Sequence, residues 1–200
     1  KGRLIVNAPH IPVHLGALGL CVREVSARLK MGPGDVVVTN DPFEGGSHLP
    51  DVTVVTPVFL ALSKAEPELA FYVASRGHHA DIGGRTPGSM PPDSTRLEEE
   101  GVVIPPMLFV SGGRVEEEAM RSLLASARYP ARRPDDNLSD MQAMVAANRT
   151  GARLLEGFVE EQGYREVATT MRQLQEAAAQ KVAREIAKLS DGEHRFADSL

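Results

Sequence analysis

The sequence predicts an α+β fold: a β-rich portion over residues 1–130, followed by a long helical hairpin over residues 131–200. Three observations carry this. The first portion holds most of the glycine and proline and every histidine except His194. It also holds short β-branched runs such as Val36-Val37-Val38-Thr39, which read as buried strands. The second portion is poor in Gly and Pro and rich in Ala, Glu, Gln and Arg, a helical composition.

The elements follow in chain order. Arg3-Leu4-Ile5-Val6 reads as a short strand, and Ala8-Pro9-His10-Ile11-Pro12-Val13-His14 as a turn. Leu15, Leu18, Val22, Val25 and Leu29 recur three and four apart, which predicts a helix with one apolar face. Gly32-Pro33-Gly34-Asp35 stops it, and the Val36–Thr39 strand follows. Asp51–Leu62 and Leu69–Ser75 read as two further strands around a polar turn. Val102–Val110 is a fifth candidate, which Pro105 and Pro106 restrict to an edge or an irregular segment.

In the second portion, Leu138, Met141, Val145, Asn148, Ala152, Leu155 and Val159 form a heptad-like seam. Gly163 fits the position just past a helix C-terminus. Val167, Met171, Leu174, Ala178, Val182, Ile186 and Leu189 line a second helix. Two helices cannot shield both stripes by themselves, so the hairpin is expected to make contacts beyond its own pair. Asn148 either fixes register through a buried hydrogen bond or faces a pocket.

Composition narrows the function. The chain has 200 residues, 42% of them hydrophobic, enough for a real core, and a net charge of −5. That balance argues against binding nucleic acid through phosphate contacts. No apolar run is long enough for a membrane span. Cys21 is the one cysteine, so neither an internal disulfide nor a thiolate zinc site is available, and a cytoplasmic setting is the default. The chain starts at Lys1 without Met and reads as a piece of something longer. It has no phosphate-loop motif and no Gly-x-Ser-x-Gly elbow.

Two loops carry the candidate chemistry. Asn40-Asp41-Pro42-Phe43-Glu44-Gly45-Gly46-Ser47-His48-Leu49-Pro50-Asp51 lies between two strands and is longer than their connection requires. Arg76-Gly77-His78-His79-Ala80-Asp81-Ile82-Gly83-Gly84 directly follows a strand. His48-x-x-Asp51 and His78-x-x-Asp81 are the same pair at the same spacing. In extended chain such residues point to opposite faces, so both segments must curl, and Pro50 and Gly77 allow it. His48, Asp51, His78 and Asp81 could then converge on one divalent ion. Mixed nitrogen and oxygen ligation suits Mn²⁺, Fe²⁺ or Zn²⁺ better than Mg²⁺ or Ca²⁺. His10 and His14 read first as turn and helix-start residues, Glu98-Glu99-Glu100 as a solvated run, and Arg132-Arg133 as helix-start or interface residues. Cys21 reads as a small packed side chain.

These motifs, with Ala8–Gly16, Pro87-Gly88-Ser89-Met90, Glu99-Glu100-Gly101, Ile104-Pro105-Pro106 and Asp140-Met141-Gln142-Ala143, give the chain its family resemblance. It resembles the hydantoinase B family: the B subunit of ATP-dependent N-methylhydantoinase, the C-terminal half of 5-oxoprolinase, and the alpha subunit of acetone carboxylase. The resemblance implies an N-proximal fragment of a larger subunit. It implies a divalent metal, manganese in the carboxylase branch and Mn or Zn here, mapped onto His48, Asp51, His78 and Asp81. His79 and Asp41 come next and are the expected catalytic residues. ATP is expected on a partner, a hydantoinase A-type subunit that phosphorylates the amide or enol oxygen of a small-molecule substrate. The run Leu49–Phe59 looks most like the hydantoinase/oxoprolinase branch. ATP-dependent hydrolysis of a cyclic amide is therefore the first reading. Carboxylation of a ketone is the second, and a non-catalytic scaffold or interface module is the third.

Overall fold

The computed structural model describes residues 2–8, 13–62 and 66–198. Five strands form one antiparallel sheet: β1 (Val36–Thr39), β2 (Asp51–Leu60), β3 (Glu68–His78), β4 (Met107–Ser111) and β5 (Arg114–Val115). Their spatial order is β3-β2-β1-β4-β5. Among the described residues the helices are α1 (Val13–Arg28), α2 (Leu97–Glu100), α3 (Glu117–Ser126), α4 (Pro134–Gln162) and α5 (Tyr164–Ile186).

Strand alternation sorts the sheet into two buried faces. Val36, Val38, Val52 and Val54 pack under Met120 and Leu124 of α3 and Leu138, Met141 and Val145 of α4. Val37 and Val55 point the other way, against Cys21, Val22 and Val25 of α1. Helices thus cover both sides, which is why β1 and most of β2 are apolar at consecutive positions.

The first helix of the hairpin belongs to this core as far as Asn148. That side chain is buried, and its amide donates to the Val54 carbonyl at 3.1 Å, Thr56 Oγ1 at 3.2 Å and the Val73 carbonyl at 3.3 Å. It fixes α4 against β2 and β3, not against α5. A single residue, Gly163 at φ 82°, joins α4 to α5, and Pro134 opens α4 at a position where its missing N–H costs nothing.

Three details depart from the sequence expectation. Residues 3–6 do not pair as a strand. They run beside α5, where Gln175 Nε2 donates to the Leu4 carbonyl at 2.9 Å. The strand expected over 102–110 starts only at Met107. Before it, Ile104 N donates to the Asn40 side chain and Val102 N to the Ile82 carbonyl, while Pro105 and Pro106 have no donor to offer. β3 runs three residues past Ser75, to His78. That extension sets the position of the site.

Candidate metal centre

Asp51 opens β2 and stands directly across from His78, the last residue of β3. Side chains two apart on a strand share a face, so Asp51 and Thr53 on β2 and Arg76 and His78 on β3 all rise toward α1. His48 reaches the same place through a turn. Asp51 N donates to the His48 carbonyl at 2.9 Å, and His48 Nδ1 comes back to Asp51 Oδ2 at 2.5 Å. The curl that the His-x-x-Asp spacing required is therefore present at Pro50.

His78 Nδ1 lies 2.9 Å from Asp51 Oδ1. The two imidazoles meet edge to face, with ring centroids 5.7 Å apart. One ligand atom from each of His48, Asp51 and His78 lies within 4.8 Å of the other two. Asp51 is 1% exposed, whereas His48 and His78 are 44% and 55% exposed at the side chain. The carboxylate is the floor of the site and the imidazoles form its open rim.

Burial pushes the Asp51 carboxyl up. Hydrogen bonds from His78 and Ser47 and the charge of His48 and His14 outweigh that, and its pKa falls below the usual carboxylate range. His14, in the first turn of α1, thus acts on this carboxylate from above. Its Nδ1 is buried and has no hydrogen-bond partner among the described residues. His10 lies outside the described residues.

The donor set fits a divalent cation. Two imidazole nitrogens and one carboxylate oxygen, with no sulfur, suit Mn²⁺, Fe²⁺ or Zn²⁺. Three protein ligands leave coordination positions open, as catalytic sites require and closed structural sites do not.

Asp81, expected as the fourth ligand, does not join the trio. Its carboxylate accepts from Arg132 Nη1 at 2.7 Å and from the amides of Gly83 at 2.9 Å and Gly88 at 3.0 Å. The chain turns away after β3, and the glycines that let it curl present their N–H groups to Asp81. Asp41 is placed at the N-cap of the short turn Pro42–Glu44, where its carboxylate accepts from Phe43 N at 2.9 Å.

His79 follows His78 but turns to α4 and is 2% exposed. Asn137 Nδ2 lies 3.0 Å from His79 Nδ1 and donates to the Asp81 carbonyl at 2.8 Å. The carbonyl fixes the orientation of the amide, so Nδ1 is an acceptor and the ring proton sits on Nε2. Burial holds the pKa of this imidazole down, against the charge of Asp140. Arg132 and Arg133 pair with Asp81 and Asp136.

Ser47 and Arg76 touch the site although sequence reasoning did not single them out. Both stand inside the two loop motifs, but nothing in residue spacing distinguishes them from their neighbours. Ser47 Oγ donates to Asp51 Oδ2 at 2.9 Å, and Arg76 Nη1 donates to Ser47 Oγ at 3.3 Å.

Comparison with known proteins bears on these features. The model of one family, described as Hydantoinase B/oxoprolinase, matches residues 1–200. A 5-oxoprolinase of Saccharomyces cerevisiae is 44% identical over 198 residues, covering 94% of this chain and 15% of the yeast protein. The crystal structure of an ATP-dependent caprolactamase from Pseudomonas jessenii superposes with a TM-score of 0.80 at 29% identity, over 94% of this chain and 31% of that one. A nucleotide-free acetone carboxylase shares the fold, with a TM-score of 0.62 at 20% identity over 78% of this chain and 20% of that one. The chain thus spans only a small part of the length of the relatives it matches.

Proposed function

Because the chain belongs to the hydantoinase B/oxoprolinase family, we propose that it forms the cation-holding part of an ATP-dependent hydrolase of cyclic amides. The observation that carries this reading is the convergence of His48, Asp51 and His78 on one solvent-open point. The similarity to a 5-oxoprolinase and to an ATP-dependent caprolactamase supports the reaction class.

A ring amide is a poor electrophile, and phosphorylation of its oxygen makes the carbon open to attack by water. In this reading an ATP-binding partner of the hydantoinase A type performs that activation on a hydantoin or 5-oxoproline. When bound, a divalent ion, Mn²⁺ or Zn²⁺, would supply a Lewis acid that eases ionisation of the attacking water. Water adds to the carbon, the ring C–N bond breaks with a proton passing to nitrogen, and the phosphoryl group leaves as phosphate. His48, Asp51 and His78 hold the ion. Asp51, kept ionised, supplies the negative charge of the site. The half-exposed imidazoles keep the rim open, so a substrate activated elsewhere reaches it. Ketone carboxylation finds support only in a likeness of fold.

Metal analysis tests the reading. The purified protein is expected to carry about one Mn²⁺ or Zn²⁺ per chain, and Asp51→Asn to lose it. A chain that takes up neither ion under any loading condition would leave the scaffold reading in its place.

A further inference from the structure

The Asp51 carboxylate receives three donors: His78 Nδ1 on Oδ1, and His48 Nδ1 and the Ser47 hydroxyl on Oδ2. Two of these are imidazoles, which a cation would claim as ligands. Ser47 is the donor that no cation displaces.

Ser47 is itself held. Arg76 Nη1 donates to its oxygen at 3.3 Å. The rest of the guanidinium is fixed on both sides, Nε to Thr53 Oγ1 at 2.7 Å and Nη2 to the Gly45 carbonyl at 2.9 Å. Among the described residues no carboxylate pairs with Arg76, although the side chain is half-buried. Its charge therefore bears on the Ser47 hydroxyl and on the Cys21 thiol beside it. With a lone pair engaged by a cation, the Ser47 O–H is committed to pointing at Asp51 and is a stronger donor there.

We propose that Arg76 is a positioning residue that acts through Ser47: the guanidinium orients the hydroxyl, the hydroxyl orients Asp51, and this chain sets the affinity of the trio for a divalent ion. The inference rests on the cation reading above. Groups that hold a ligating carboxylate in place generally change metal affinity by ten- to a hundredfold when removed.

The test is Mn²⁺ affinity of the full chain, measured by competition with a fluorescent chelator, together with the electronic spectrum of the Co²⁺-loaded protein. Ser47→Ala is expected to weaken Mn²⁺ binding about tenfold and to shift the Co²⁺ bands, with thermal unfolding of the ion-free protein little changed. Ser47→Thr restores both. Arg76→Gln weakens binding, and the Ser47→Ala/Arg76→Gln pair is no weaker than Ser47→Ala alone. Unchanged affinity in Ser47→Ala overturns the proposal, and that conservative variant carries the test even if Arg76→Gln fails to fold. Multiplicative losses in the double variant also overturn it, because Arg76 would then act without Ser47. A wild-type chain that binds neither Mn²⁺ nor Co²⁺ removes the cation reading itself, which the variants alone cannot do.

Discussion

Amide N–H groups that converge on a carboxylate hold it in its ionised form, and Asp81 is such a group. Burial raises its carboxyl pKa, but the amides of Gly83, Gly88 and Arg132 and the Arg132 guanidinium bring it below the usual range. A carboxylate with a depressed folded pKa stabilises the fold above its unfolded value of about 3.9, and that contribution is lost as pH falls through the folded value. Asp81→Asn places an NH₂ against these donors. It is expected to cost about 2 kcal/mol near neutral pH, in urea unfolding, and the deficit should shrink steadily below about pH 4. An equal deficit at neutral and strongly acidic pH would mean that the charge of Asp81 contributes nothing. The sequence offered Asp51 and Asp81 as equivalents, because each sits three residues after a histidine. What separates them is long-range: Asp51 faces His78 across two strands, while Asp81 faces Arg132, 51 residues away. Spacing within a motif carries no information about either partner.

One buried amide pins the far end of the loop that holds His48. Asn40 is fully buried at the end of β1. Its Nδ2 donates to the Leu49 carbonyl at 2.7 Å and the Val102 carbonyl at 2.9 Å, and its Oδ1 accepts from Ile104 N at 2.6 Å. One side chain thereby ties the loop's far end and the segment before β4 to β1. Asn40→Ala leaves those backbone groups unpaired in the core and is expected to cost about 3 kcal/mol or more in chemical denaturation. Asn40→Asp should be no better, since it turns an oxygen toward two carbonyls. Wild-type stability in either variant would mean that the loop is held by other contacts. The close approach of the loop to α1 has a second support in Gly45, at φ 80°, where a Cβ would lie 2.4 Å from Cys21 N. At this scale β1 to β3, α1, α4 and α5 were legible, because each repeats at period two or 3.6 or runs continuously apolar. α3 was not, since Met120 and Leu124 are its only fully buried positions and an acidic first turn opens it. β5, at two residues, is too short to have a period. The segment 102–106 reads as strand because Val102, Val103 and Ile104 are apolar in a row, whereas an Asn40 side chain takes the place of the ladder there.

Across the whole molecule, burial of the hairpin fades along its length. α4 lies in the core through Leu138, Met141, Val145 and Asn148, and Gly151 lets it approach Val73 closely. Beyond that point Leu154 and Phe158 are exposed, and so are Leu174, Val182 and Ile186 on α5 and Leu189 just past its end. Leu174, Ala178, Val182 and Ile186 recur four apart, so they share one face over about 18 Å of helix. The sheet cannot reach them, because α1 and α4 already occupy its two faces. Residues 3–6 run beside α5 at Gln175, and an apolar stripe that stays exposed beyond them marks a surface of association. For the 200-residue chain alone, the available apolar partner of matching length is the same stripe on a second copy. The expected result is concentration-dependent self-association in sedimentation equilibrium, abolished by Val182→Glu with Ile186→Glu. Both positions are exposed, so the double variant should keep its helix content in circular dichroism and its unfolding midpoint. A wild-type chain that stays monomeric across the concentration series would show that the stripe is tolerated in water. Self-association that survives the two glutamates would move the contact elsewhere, to the exposed Leu154 and Phe158 of α4, where Phe158→Glu then becomes the discriminating change.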